Sequence, residues 1–457
     1  MSLRITALTV FLLVIAPPLW AKVSPEEAEK LGTVLTPMGA IAEGNEAGTI
    51  PPYTGEMLGA PEWVDYKGTG THYPDPYPEE KPLFTITGQN YKTYSNNLTD
   101  GQIALFEMYP DTFRMPVYPS KRDTRYSDFL HENVKLNAMS AEIVSEGNGT
   151  GNAFFGTPFP FATTGLELIW NHQAAPQFEA SSGILDGAAV FVDGSISTRT
   201  TLEERYILFF SERMGREAFN NQDYGGMIMV QILGPVRKKG EVILVHEFRD
   251  VSIASRNAWQ YLPGTRRVRR APTIAYDFPD GPGGLRTVDD ALLFNGATDR
   301  YTWKMEAKRE LYIPYNNNRL DDPVVSYETI LTPRHLNPDL MRYELHRCWV
   351  VVGVLRDGKR HIYSKRRLYL EEDSWAGALA DNYDGQDRLW RTNMRTFVNQ
   401  YDLPGMGARV EVYHDLQKQA YLANYLINEQ KGPPEIVSEI WDDNYFTVTT
   451  LRKLGKR

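Results

Sequence analysis

The sequence predicts a mainly β protein of α+β class, built around one large antiparallel sheet, and three observations in its 457 residues support this. From about Gly187 onward, strand-length runs rich in Val, Ile, Tyr and Phe succeed one another. Turn signals separate them, notably Lys238-Lys239-Gly240 and Arg356-Asp357-Gly358-Lys359. One later stretch, 389–401, carries an apolar stripe at helical spacing.

In chain order, Arg4 precedes an apolar run over 5–15 broken only by Thr6 and Thr9, and Pro17 and Pro18 end it. Leu19-Trp20-Ala21 then offers a cleavage site before Lys22, so residues 1–21 read as a cleaved signal peptide. The run is too short for a stable transmembrane anchor, and no later stretch is apolar enough to cross a bilayer. Ser24-Pro25-Glu26-Glu27 is an N-cap followed by Pro at the first helical position, which predicts a short helix stopping at Gly32. Residues 37–82, rich in Gly, Pro, Tyr and Asp, predict an irregular arm packed through Trp63, Tyr66, Tyr73 and Tyr77. The helix, the arm and the first part of the body occupy 22–185, and 186–457 forms the main β body. Its strands fall near 205–210, 227–233, 242–248, 343–355, 361–370 and 409–414. Leu389, Trp390, Met394, Phe397, Val398 and Tyr401 predict the late helix 389–401, packed on the sheet.

Composition narrows the function. Apolar residues are 42% of the chain, charged residues 23%, and the net charge is -9, which weighs against binding nucleic acid through phosphates. Loss of Arg4 with the leader would make it -10. One cysteine, Cys348, excludes an internal disulfide, and its apolar setting predicts an inert buried thiol. There is no phosphate loop, dinucleotide fingerprint, zinc-protease motif or nucleophile elbow, so neither cofactor nor catalytic residues are assigned. His246-Glu247 and His414-Asp415 read as surface or rim pairs. Asp381, Asp384 and Asp387 around Gly385 lack the calcium-loop spacing and read as a turn ahead of the late helix. Two basic clusters stand out: Arg256, Arg266, Arg267, Arg269 and Arg270, and Lys359, Arg360, Lys365, Arg366 and Arg367. Each could meet an anionic head group or an acidic partner, or pair with nearby acids such as Glu371, Glu372 and Asp373.

The segment Trp259-Gln-Tyr-Leu-Pro-Gly-Thr-Arg-Arg-Val-Arg-Arg-Ala-Pro-Thr-Ile-Ala-Tyr-Asp277 resembles the domain-of-unknown-function 1329 family of exported Gram-negative proteins. Asn45 to Gly55, Trp170-Asn171-His172, Tyr343 to Trp349, Lys359 to Tyr369 and Ala380 to Gly385 extend the resemblance over nearly the whole chain. The Tyr261-Leu-Pro and Arg267-Val-Arg-Arg pattern is also similar to the lipoprotein carriers LolA and LolB. That resemblance implies a curved antiparallel sheet forming an open half-barrel with covering helices and an acyl-binding concave face. It further implies a periplasmic setting beside an RND-type transporter and an outer-membrane protein. The leading expectation is therefore a non-enzymatic carrier of a lipid-like or other hydrophobic ligand. Trp259, Tyr261, Trp349, Tyr363 and Trp390 would form its wall, and Arg266, Arg267, Arg269 and Arg270 its rim. An envelope adaptor without a small ligand is the alternative, and a glycan hydrolase using paired carboxylates comes third.

Overall fold

In this computed structural model, residues 23–254, 256–271, 276–437, 439, 441 and 444–455 are described, so the expected signal peptide lies outside the described residues. Ser24 caps α1 (Pro25–Ala28), its Oγ accepting the Glu27 amide at 3.2 Å. The arm over 37–82 is irregular and held by its tyrosines: Tyr66 and Tyr73 both donate to the Asp402 carboxylate. Trp63, by contrast, stays 67% exposed. Next come β1 (Phe84–Thr87), α2 (Asp100–Met108), β2 (Arg114–Val117), α3 (Asp128–Ser140), the small hairpin β3 (Glu142–Val144) and β4 (Gly149–Gly151), and α4 (Gly165–Gln173). Thr99 and Thr164 open α2 and α4 as capping boxes with Gln102 and Glu167.

A first meander follows: β5 (Ala180–Val190), β6 (Ile196–Tyr206), α5 (Gly215–Asn220), β7 (Tyr224–Gly234), β8 (Val242–Phe248), β9 (Arg256–Leu262) and β10 (Arg267–Arg270). A loop bearing β11 (Pro279–Asp280) and β12 (Arg286–Thr287) turns back, and β13 (Tyr301–Pro314) and α6 (Tyr327–Ile330) precede a second meander. That second meander is β14 (Tyr343–Leu355), β15 (Lys365–Glu371), β16 (Gly377–Tyr383), β17 (Leu389–Gln400), β18 (Gly405–Asp415) and β19 (Ala420–Leu426). β20 (Glu435–Ile436) and α7 (Val448–Gly455) come last among the described elements.

The two meanders form one sheet because β19 pairs with β5, Tyr421 opposite Val190. The strand order runs β1-β2-β14-β15-β16-β17-β18-β19-β5-β6-β7-β8-β9-β10, antiparallel except at the β2–β14 contact. Among the described residues β1 and β10 do not pair with each other, so the sheet is an open half-barrel. Strand alternation assigns its two faces. Over β14–β18 both are covered: Cys348, Val350 and Tyr369 join the large convex core with Phe106 and Phe113, while Val351, Leu368 and Ala380 meet α3 and α4 inside. Over β7–β9 the convex face is covered by α7, with Met229, Leu244 and Tyr261 against Phe446 and Leu451.

The late helix expected over 389–401 is instead the strand β17. A bulge between Arg395 and Phe397 shifts its register, so Met394 and Phe397, three apart, enter the same core. That spacing imitates a helix. The acidic turn consequently precedes a strand: Asp381 lies on β16, and Asp384 takes both guanidinium bonds of Arg388.

Candidate functional site

A cavity opens between the concave face of the first meander and the elements that roof it. Pairing fixes its floor. Arg205 faces Ile228, Ile228 faces Val245, and Val245 faces Ala258, so these residues share one face, with Glu203, Val230, Glu247 and Arg256 beside them. Met227, Leu244, Trp259 and Tyr261 take the opposite face, under α7. Gly226 deepens the floor at its start, where an added Cβ would stand 3.1 Å from Ile207 Cδ1. The roof comes from α4, through Trp170, His172 and Gln173, and from Val288, Leu292 and Phe294 of the returning loop. Phe209, Phe210 and Phe219 wall one end.

The main chamber holds about 310 Å³. A second of about 320 Å³ shares Trp170, Phe248, Arg256 and Asn295 with it, and a third of about 130 Å³ shares His172, Arg205, Leu292 and Tyr425. The two larger chambers each reach the lower end of the size range of small-molecule sites.

Several charges in this wall are paired locally, whereas Arg249 and Arg300 are held by carbonyls and rings. Arg205 pairs with Glu203 at 2.7 Å and donates to Tyr425 Oη at 3.0 Å, and Arg256 pairs with Glu247 at 2.5 Å. Asp280 lies between Arg286 at 2.6 Å and Arg199 at 3.0 Å; burial opposes its charge, yet the two guanidinium groups hold it well below the usual carboxylate range. Arg249 donates to the carbonyls of Phe219 and Asn220 at 2.9 and 2.7 Å, the last carbonyls of α5, and lies 4.6 Å over the Phe219 ring. His172 is the one histidine in the wall of the main chamber. Its Nδ1 accepts the Gly377 amide at 3.0 Å, and burial, helped by Arg395, pulls its pKa down to about 3, which keeps the ring neutral. The apolar side chains of this wall can take an apolar body while the Arg205, Arg256 and Asp280 charges keep their partners.

None of the nine wall and rim residues chosen from the sequence lines these chambers. Trp259 and Tyr261 are turned to the α7 face. Trp349 stacks on Trp375 at 6.2 Å beneath the Lys308 ammonium. Tyr363 is fully buried, donating to Asp290 at 3.0 Å and accepting from Arg391 at 2.9 Å. Trp390 donates to Asp415 at 3.2 Å. Arg266, Arg267, Arg269 and Arg270 are exposed around the β9–β10 hairpin, and none of the four lines a chamber. In the second basic cluster, Lys359, Lys365, Arg366 and Arg367 are tied to Asp299, Asp387, Asp289 and Asp100 respectively. His414 is buried rather than at a rim, and His246 is half-buried, bonded to the Phe446 carbonyl at 2.8 Å. Sequence reasoning missed Ile228, Val230, Val245 and Phe248 as wall residues although it placed all four in strands.

A family model described as protein of unknown function (DUF1329) matches residues 85–452. The chain belongs to the DUF1329 family. Uncharacterized protein PA3922 of Pseudomonas aeruginosa is 39% identical to this DUF1329 chain over 474 residues, covering 97% of it and 96% of its own length. Among solved structures, a DUF1329 family protein from Desulfovibrio piger is similar at 14% identity and a TM-score of 0.41, over 60% of this chain and 92% of that one. A putative outer membrane lipoprotein-sorting protein domain from Vibrio parahaemolyticus is similar at 15% identity and a TM-score of 0.43, over 63% and 98%. A LolA superfamily protein from Nitrosomonas europaea is similar at 13% identity and a TM-score of 0.39, over 63% and 100%.

A second cluster in this DUF1329 chain has the ingredients of a metal site. His346, Glu371 and Asp373 are buried, with ligand atoms within 4.8 Å of one another. Every one of them is already engaged. Asp373 takes two Arg122 bonds at 2.7 and 2.9 Å, Glu371 accepts from Ser374 Oγ at 2.6 Å, and His346 Nε2 meets Glu344 at 3.3 Å. Arg122, Arg342, Arg347 and Lys308 balance the carboxylates, so the cluster is a structural ion network.

Proposed function

We propose that this DUF1329 protein is a periplasmic carrier that holds a lipid or other hydrophobic molecule in the cavity between β6–β9 and α4. An RND-type exporter and an outer-membrane protein would be its working partners. The observation that supports this reading is the apolar lane Ile228, Val230 and Val245 facing Leu292 and Phe294 across about 310 Å³ in an open sheet. Burying about 300 Å² of apolar ligand surface would gain about 7 kcal/mol, enough for reversible loading. The local pairing of Arg205, Arg256 and Asp280 beside the lane favours an uncharged or zwitterionic body over a bare anion.

Solvent extraction of the purified protein followed by mass spectrometry is expected to release a hydrophobic molecule. Ile228→Trp and Val230→Trp should fill the lane and lower that content severalfold with the circular dichroism unchanged. Protein that carries nothing, and takes up no fluorescent lipid probe in a manner sensitive to either substitution, would overturn the carrier reading.

A further inference from the structure

The cations singled out in the β9–β10 hairpin belong to a larger feature. The turn between β7 and β8 carries Arg237, Lys238 and Lys239, the turn between β9 and β10 carries Arg266, and β10 opens on Arg267. The two turns touch: a Cβ on Gly240 would stand 3.3 Å from Pro263 Cγ. Arg269 continues the patch along β10, the edge strand. All six side chains are exposed, and none has an ion-pair partner among the described residues. The last turn of α7, where Gly455 lies over Tyr261, brings the exposed Arg452 and Lys453 toward the same end. Among the described residues of these two turns and the β5–β6 turn the acids are Asp193 and Glu241, the latter bonded by Gln260 at 3.2 Å, so cations outnumber acids there in a chain of net charge -9.

Apolar side chains protrude among them. Val236, at the head of the β7–β8 turn, is 90% exposed, and Val192 and Ile196 in the neighbouring β5–β6 hairpin are 54% and 48% exposed. These sit at the turns, and none of them lines the chambers described above. Long flexible cations around a protruding aliphatic side chain suit a laterally fluid surface of phosphate charge with an apolar layer beneath.

We propose that this end of the sheet docks onto a bilayer surface rich in anionic phospholipid, the cations over the phosphates and Val236 in the interface. The strands carry the contact away from the chamber: from Val230, which lines it, to Gly234, where the turn begins, is about 13 Å at strand rise. Docking and ligand holding are therefore separable.

Co-sedimentation of the purified protein with vesicles tests this. Binding is expected to phosphatidylglycerol–phosphatidylethanolamine vesicles and not to phosphatidylcholine vesicles, weakening as salt is raised. Each cation near an anionic surface contributes about fivefold, so the triple variant Arg237→Gln, Lys238→Gln, Lys239→Gln should lower the partition coefficient about a hundredfold. Val236→Asp should weaken binding with every cation in place. Circular dichroism and extractable ligand should match the wild type in both variants. Absence of binding to anionic vesicles, binding that the triple variant leaves unchanged, or capture of an acidic protein at this end without vesicle binding would each overturn the proposal. If vesicle binding holds while extracts of wild type and variants are all empty, the carrier reading fails and docking stands.

Discussion

His346 lies in the interior between Glu344 and Glu371, at 3.3 and 3.6 Å. Burial disfavours its charge, but the two carboxylates outweigh burial and raise its pKa to about 9. A folded pKa above the ordinary 6.5 contributes stability that is full below 6.5 and lost as pH rises through about 9. The urea midpoint of the wild type is expected to fall across that window. His346→Gln leaves two buried carboxylates short of a cation, which should cost about 3–5 kcal/mol at neutral pH and flatten that part of the profile. At this scale the site was hard to read from the sequence. From the sequence, large aromatic residues are the expected walls, yet a wall needs space beside it, and Gly226 and Ala258 provide that space while Trp259 and Tyr261 fill the other face. Which parity of β9 faced inward depended on α7, about 190 residues further along the chain. Cys348, fully buried in a continuous apolar run, needed no such partner to be read correctly.

Among the elements, β8 and β14 begin and end where the residue pattern places them, because β-branched runs bounded by turn residues are a local signal. β17 misleads because its pattern is produced by a bulge against β18, a non-local event that puts Met394 and Phe397 on one face. The second basic cluster is similar: its pairing acids include Asp289, Asp290, Asp299, Asp100 and Glu306, which lie far away in sequence. α7 is the element with the clearest test. Leu451 is fully buried against the convex face with Tyr261 and Leu244, so Leu451→Ala should cost about 2–4 kcal/mol in a urea titration. Tryptophan fluorescence should report it as well, since Trp259 packs in the same cluster.

Taken whole, the molecule is one sheet with unequal upholstery. The second meander has packed side chains on both faces, whereas the first has α7 on one side and a partly empty chamber on the other. Local opening follows the smaller number of buried apolar contacts, so amides of β7–β9 should exchange with deuterium well before those of β14–β18, measured by mass spectrometry under native conditions. Bound ligand would narrow that gap by filling the chamber. The pairing of β19 with β5 also has a consequence in time. A chain made from its N-terminus completes β5 through β10 while the strand that must flank β5 does not yet exist, and Val190 waits for Tyr421. During that interval the molecule presents a bare hydrogen-bonding margin that another copy could occupy. Synthesis of this sheet thus carries an obligation to be shielded until its late strand arrives, one that the finished fold no longer reveals.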